Sequence, residues 1–145
     1  MIATTHMLVG AVGALKARSI PGAVAIGALT HLLLDAVPHR DYRRRTLGGL
    51  ALPADLVVGA VAAWGLSDGS RPALAGAIGG VLPDVLRVAE QATGVDVTSW
   101  AHDTTHTDSR PSAWGSAAIQ GLTSVTAALA LSWLSKRSSR ACRSL

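Results

Sequence analysis

The chain of 145 residues has one cysteine and no phenylalanine, and charged residues make up only 15% of it. Each scarcity excludes something. A lone Cys142 cannot form an internal disulfide or a Cys-rich structural zinc site. Aromatic residues are 3% of the chain and are not interleaved with its basic runs, which argues against nucleic acid as a partner. Soluble domains carry about 25% charged residues. Period-two alternation is absent, so half-buried strands are not expected. No GxxxxGK[ST] pattern occurs, so the glycines do not read as a phosphate loop. The stretch Met1–His6 lacks the positive n-region of a secretory signal.

What is abundant is apolar and small. Hydrophobic residues reach 49% and the mean hydropathy is +0.36. The charges cluster in Arg40, Asp41, Arg43, Arg44 and Arg45, and again in Lys136, Arg137, Arg140 and Arg143. Basic runs separated by charge-poor stretches are the layout of an integral membrane protein. Five apolar segments can be drawn, at 2–16, 21–37, 48–66, 72–92 and 113–134. The last three approach the roughly 20 residues that cross a hydrocarbon core, and the first two are shorter. In lipid each must satisfy its own backbone, which favours helix. Pro21 and Pro72 stand at helix starts, Pro53 precedes Asp55, and Pro83 lies inside the fourth segment, where a kink is expected. Gly10, Gly13, Gly59, Gly76, Gly79 and Gly80 recur at three- and four-residue spacings, which suits close helix packing.

The chain also repeats itself. Residues 6–35 align with 55–84 at a constant offset of 49 with no gap, and nine of the thirty positions are identical. The alignment pairs His6 with Asp55, His31 with Gly80 and Asp35 with Asp84. The expected architecture is an all-α, polytopic membrane protein of about five transmembrane helices. It consists of one domain over 1–135, with a tandem helical hairpin (6–35 and 55–84), an extra helix at 113–134 and a basic, disordered tail at 136–145. The repeat predicts a pseudo-two-fold axis along the membrane normal.

If five helices alternate across a bilayer, all five histidines and most acidic residues fall at one face, and only Asp68 falls at the other. Tyr42, Trp100 and Trp114 lie at the histidine face and Trp64 and Trp133 at the opposite one, as interfacial belts. Six Lys and Arg lie at the histidine face and seven at the other, so orientation stays open. His31, Asp35 and His39 are spaced i, i+4, i+8, and i and i+4 share a helix face. His102 and His106 repeat the i, i+4 spacing in a polar connection at 93–112. Imidazole and carboxylate together suit Zn²⁺, with Mn²⁺ or Fe²⁺ as alternatives. Ionisable residues inside a span mark function by default. The candidate ligands are therefore His6, His31, Asp35, His39, Asp84, His102 and His106. Asp55 and Asp84 are candidates for the general base, and capping of the third helix is the plainer role for Asp55. Asp103 and Asp108 read as loop or ligand-orienting residues, and Arg40 and Arg43 to Arg45 as a headgroup-facing loop.

Thr5-His6-Met7, the run His31-Leu-Leu-Leu-Asp35-Ala-Val-Pro38-His39-Arg-Asp41, Leu82-Pro83-Asp84 and the pair His102/His106 together resemble a bacterial family. This is the family of membrane-bound metal-dependent hydrolases, LexA-binding and inner-membrane-associated. The resemblance implies the bacterial inner membrane and a divalent metal; it does not supply a substrate. The reading is a hydrolase of an ester or phosphoester, lipid or lipid-linked, working through metal-activated water. Two alternatives stand beside it: a transport or metal-handling protein, and a structural protein whose His and Asp residues join helices.

Overall fold

A computed structural model describes residues 3–37, 51–96 and 112–143. Among them there are five helices and no strand: α1 (Ala3–Ala14), α2 (Ile20–Asp35), α3 (Ala51–Leu66), α4 (Arg71–Thr93) and α5 (Ala113–Arg143). The prolines at helix starts act as the sequence leads one to expect. Ser19 caps α2, its hydroxyl accepting from Gly22 N–H at 3.2 Å, and Pro21 sits in the first turn. Pro72 opens α4, and Gly94 ends it in the left-handed region at φ 74°. Asp68 and Gly69, both at positive φ, make the tight turn between α3 and α4. α3 starts at Ala51, so Pro53 lies in its first turn, where a missing N–H costs nothing. α4 continues as one helix through Pro83.

The C-terminal segment differs from expectation. Instead of a disordered stretch from 136, α5 runs through Arg143. The reason is local: no Gly or Pro follows Gly121, and Lys and Arg near a helix C-terminus favour the macrodipole. The Arg137 guanidinium lies 4.3 Å over the Trp133 ring, a cation–π contact that orders the start of this extension.

α1 is the centre of the bundle. It packs against α2, α3, α4 and α5. Ala3 to Leu8, Gly10, Ala11 and Ala14 are all buried. Its apolar side chains join Ala63, Ala73, Ala77, Val81, Ala127 and Leu131 in one core. The contacts show the helix directions. α2 runs parallel to α4, with Gly27 against Gly76 and His31 against Gly80. α3 runs parallel to α1, with Thr4 at Asp55 and Met7 at Gly59. The two hairpins therefore point the same way, but the bundle is not two-fold symmetric. α1 lies along α4, whereas α3 has no comparable contact with α2. The physical cause is the small-residue seam. Gly10 of α1 lies against Gly76 and Gly80, and Gly27 of α2 lies against the same two glycines, so both helices of the first hairpin close onto α4. α3 is left at the periphery.

Among the described residues, two helices are long and apolar enough to cross a membrane, over Arg71–Glu90 and Trp114–Ser138. α2 and α3 have 16 residues each, about 24 Å at 1.5 Å per residue.

Candidate metal centre

The last two turns of α2 carry His31 and Asp35 on one face, as their i, i+4 spacing requires. Both side chains are buried, at 0% and 2% exposure. The His31 Nε2 lies 3.1 Å from Asp35 Oδ2 and 3.8 Å from Asp84 Oδ1. From α1, His6 places its Nε2 3.6 Å from Asp35 Oδ1. The two imidazoles stack, with centroids 4.1 Å apart and planes inclined by 29°. His6, His31 and Asp84 each offer a ligand atom within 4.8 Å of the others. Three helices thus deliver two imidazoles and two carboxylates to one point, and Asp84, at 27% side-chain exposure, is the member nearest open surface.

The proton positions follow from the partners. His31 Nδ1 lies 2.8 Å from the Gly80 carbonyl oxygen. A carbonyl only accepts, so Nδ1 carries the hydrogen. In a neutral ring Nε2 then holds a lone pair, and it faces two carboxylates that are acceptors too. Three acceptors converging on one point require a hydrogen or a cation between them: a proton on Nε2 or on one of the carboxylates, or a metal ion. A backbone carbonyl bound to the far nitrogen of a histidine is also how proteins orient metal-ligating imidazoles. The donor set therefore fits a divalent ion. Two nitrogens and one carboxylate oxygen can hold such an ion with a position left open for water.

Close helix packing makes this geometry possible. A Cβ on Gly80 would meet the His6 backbone, with the carbonyl carbon only 3.0 Å away. Glycine at position 80 lets α1 and α4 touch, and it aims its carbonyl at α2.

Of the residues predicted from sequence, His6, His31, Asp35 and Asp84 come together. Asp55 lies elsewhere in the bundle wall. Its Oδ2 accepts the Thr4 backbone N–H at 3.0 Å and its Oδ1 accepts the Thr4 hydroxyl at 2.6 Å. His39, His102 and His106 lie outside the described residues. The sequence reading missed Gly80 and Thr4 as parts of the site. A signal for Gly80 was present, since the repeat aligns it with His31 at the offset of 49 that separates the two bonded residues.

No known protein family, curated protein or solved structure matches the chain.

Proposed function

We propose that this chain is a multi-pass membrane protein that holds a divalent metal ion, with zinc the first choice, on His6, His31, Asp35 and Asp84. We assign it as a hydrolase of an ester or phosphoester, lipid-linked, in the bacterial inner membrane. The observation that carries the reading is the convergence of His31 Nε2 on two carboxylates while its Nδ1 is committed to Gly80.

The membrane reading is supported by an inverted surface. The interior is mostly Ala, Gly, Thr, His and Asp, with Met7, Leu8, Val81 and Leu131 as larger members, while Leu29, Leu33, Val57, Val61, Leu122 and Leu129 are each more than half exposed. Small residues inside and large apolar ones outside are what helices packed in lipid need. Buried His and Asp in such a bundle mark function. Helices of 16 residues suit a locally thinned bilayer.

A divalent cation held at this centre would supply Lewis acidity, lowering the pKa of a bound water and polarising the oxygen of a scissile ester or phosphoester. The chain's own residues do the rest. Gly80 and His31 fix the imidazole tautomer. Asp35, between the two histidines, sets their spacing and offsets cationic charge. The oxygen of Asp84 left free of the ion, on the partly exposed side, would take a proton from the attacking water and deliver it to the leaving alcohol oxygen.

The test is elemental analysis of the purified protein beside His31→Ala and Asp35→Ala, followed by turnover of ester and phosphoester probes. The expected result is about one metal per chain, lost in both variants, with hydrolysis lost in parallel. A wild-type protein without metal sinks the proposal. Metal without hydrolysis, together with ion flux across proteoliposomes, replaces it with the metal-handling reading.

A further inference from the structure

The first turns of α1 read Thr4-Thr5-His6, and each of these consecutive side chains engages a different helix. Thr4 bonds Asp55 of α3, Thr5 bonds Ser124 of α5 at 2.6 Å, and His6 faces Asp35 of α2. Successive side chains on a helix point about 100° apart, so three neighbouring residues fan out to three partners. Thr4 is 9% exposed, Thr5 0% and His6 1%. The angular setting of α1, and hence the direction in which His6 points, depends on these anchors.

Asp55 is the most heavily engaged of them. Its two carboxylate oxygens take the Thr4 N–H and hydroxyl, and its carbonyl oxygen lies 2.9 Å from that same hydroxyl. The Thr4 N–H is among the four at a helix start that have no partner within the helix. A carboxylate bound there also meets the positive end of the helix dipole. One turn further along α3, Gly59 admits the α1 backbone, since a Cβ at 59 would lie 3.1 Å from Thr4 Cα. Asp55 and Gly59 together form a seat for the first turn of α1, and His6 is the fourth residue of that helix.

We propose that Asp55 is a positioning residue for the metal centre: by clamping Thr4 it fixes the first turn of α1 and with it His6. This rests on the metal reading given above. The two copies of the repeat then divide the labour. The first copy supplies the histidines, and the second supplies what holds them. His6 aligns with Asp55, which holds α1 through Thr4, and His31 aligns with Gly80, whose carbonyl holds its Nδ1. Of these three aligned ionisable positions only Asp35/Asp84 keeps the same residue in both copies, and both members face His31.

The experiment uses the full chain in detergent, stripped of metal by a chelator, and treated with diethyl pyrocarbonate. Carbethoxylation of His6 and His31 is followed separately by peptide mass spectrometry, and Zn²⁺ affinity is measured by competition on the same preparations. Asp55→Ala and Thr4→Val are expected to raise His6 modification several-fold with His31 unchanged. Both should weaken Zn²⁺ binding about 10–100-fold, as loss of a supporting partner does. Thr4→Ser, which keeps the hydroxyl, should behave as wild type, and Asp55→Asn should fall between. Unchanged His6 reactivity in Asp55→Ala overturns the proposal. So does an equal rise at His6 and His31, which would mean general loosening. A wild type that binds no Zn²⁺ overturns the metal reading instead, and the accessibility pattern still decides whether Asp55 holds His6.

Discussion

Adding one methyl group at Gly80 should damage the centre without altering any ligand side chain. The Cβ of Gly80→Ala falls 3.0 Å from the His6 carbonyl carbon and closer still to its oxygen. Carbon atoms prefer separations of about 3.5–4.0 Å, so α1 and α4 must part by roughly 0.5–1 Å. The obstruction is backbone, and no side-chain rotation relieves it. Overpacking of this kind costs about 1–3 kcal/mol. The same shift moves the Gly80 carbonyl and Asp84 relative to His6 and His31, well beyond the ±0.2 Å or so that metal sites tolerate. Zn²⁺ affinity should therefore fall about 10–100-fold. Denaturation in detergent and competition with a chromophoric chelator measure the two effects. Gly65→Ala is the control, since a Cβ there meets nothing within 4 Å; it should leave metal binding intact and stability equal or slightly higher. A Gly80→Ala protein with wild-type stability and affinity would refute the packing argument.

Other perturbations have graded outcomes. Asp35→Asn should weaken Zn²⁺ binding more than Asp84→Asn, because Asp35 is buried within 3.6 Å of both histidines while Asp84 is partly open; chelator titration of the two variants ranks them. The Thr5–Ser124 hydrogen bond should couple by about 0.6–1.7 kcal/mol in a double-mutant cycle of Thr5→Val and Ser124→Ala. Leu131→Ala empties a fully buried site and should cost about 2–5 kcal/mol by equilibrium unfolding. Leu129→Ala, at 68% exposure, should stay within about 0.5 kcal/mol.

The helices were legible in the sequence because their causes are local. Charge-poor runs and Pro21 and Pro72 at starts mark α2 and α4. The basic composition of 136–143 suggested a tail where α5 continues. His31 and Asp35 were legible as a pair, since i, i+4 spacing on one helix fixes their common face. That His6 and Asp84 join them followed only loosely from placing all histidines at one end of the bundle.

Which helices touch, and at what rotation, is not a local property. The repeat made His6 and Asp55 equivalent, and nothing in the alignment separates a ligand from the residue that seats its helix. The glycine seam decides it. Gly10, Gly27, Gly76 and Gly80 bring α1 and α2 onto α4 at backbone contact, which leaves α3 outside and turns Asp55 to Thr4. By itself, then, the sequence determined an all-helical chain with a duplicated hairpin and an ionisable cluster at one end. The tertiary structure alone decided that His6 meets Asp35, that the Gly80 carbonyl sets the His31 tautomer, and that the second copy supports the first. The reason is that close approach between backbones depends on every small residue along the seam at once, and no single stretch of chain encodes it.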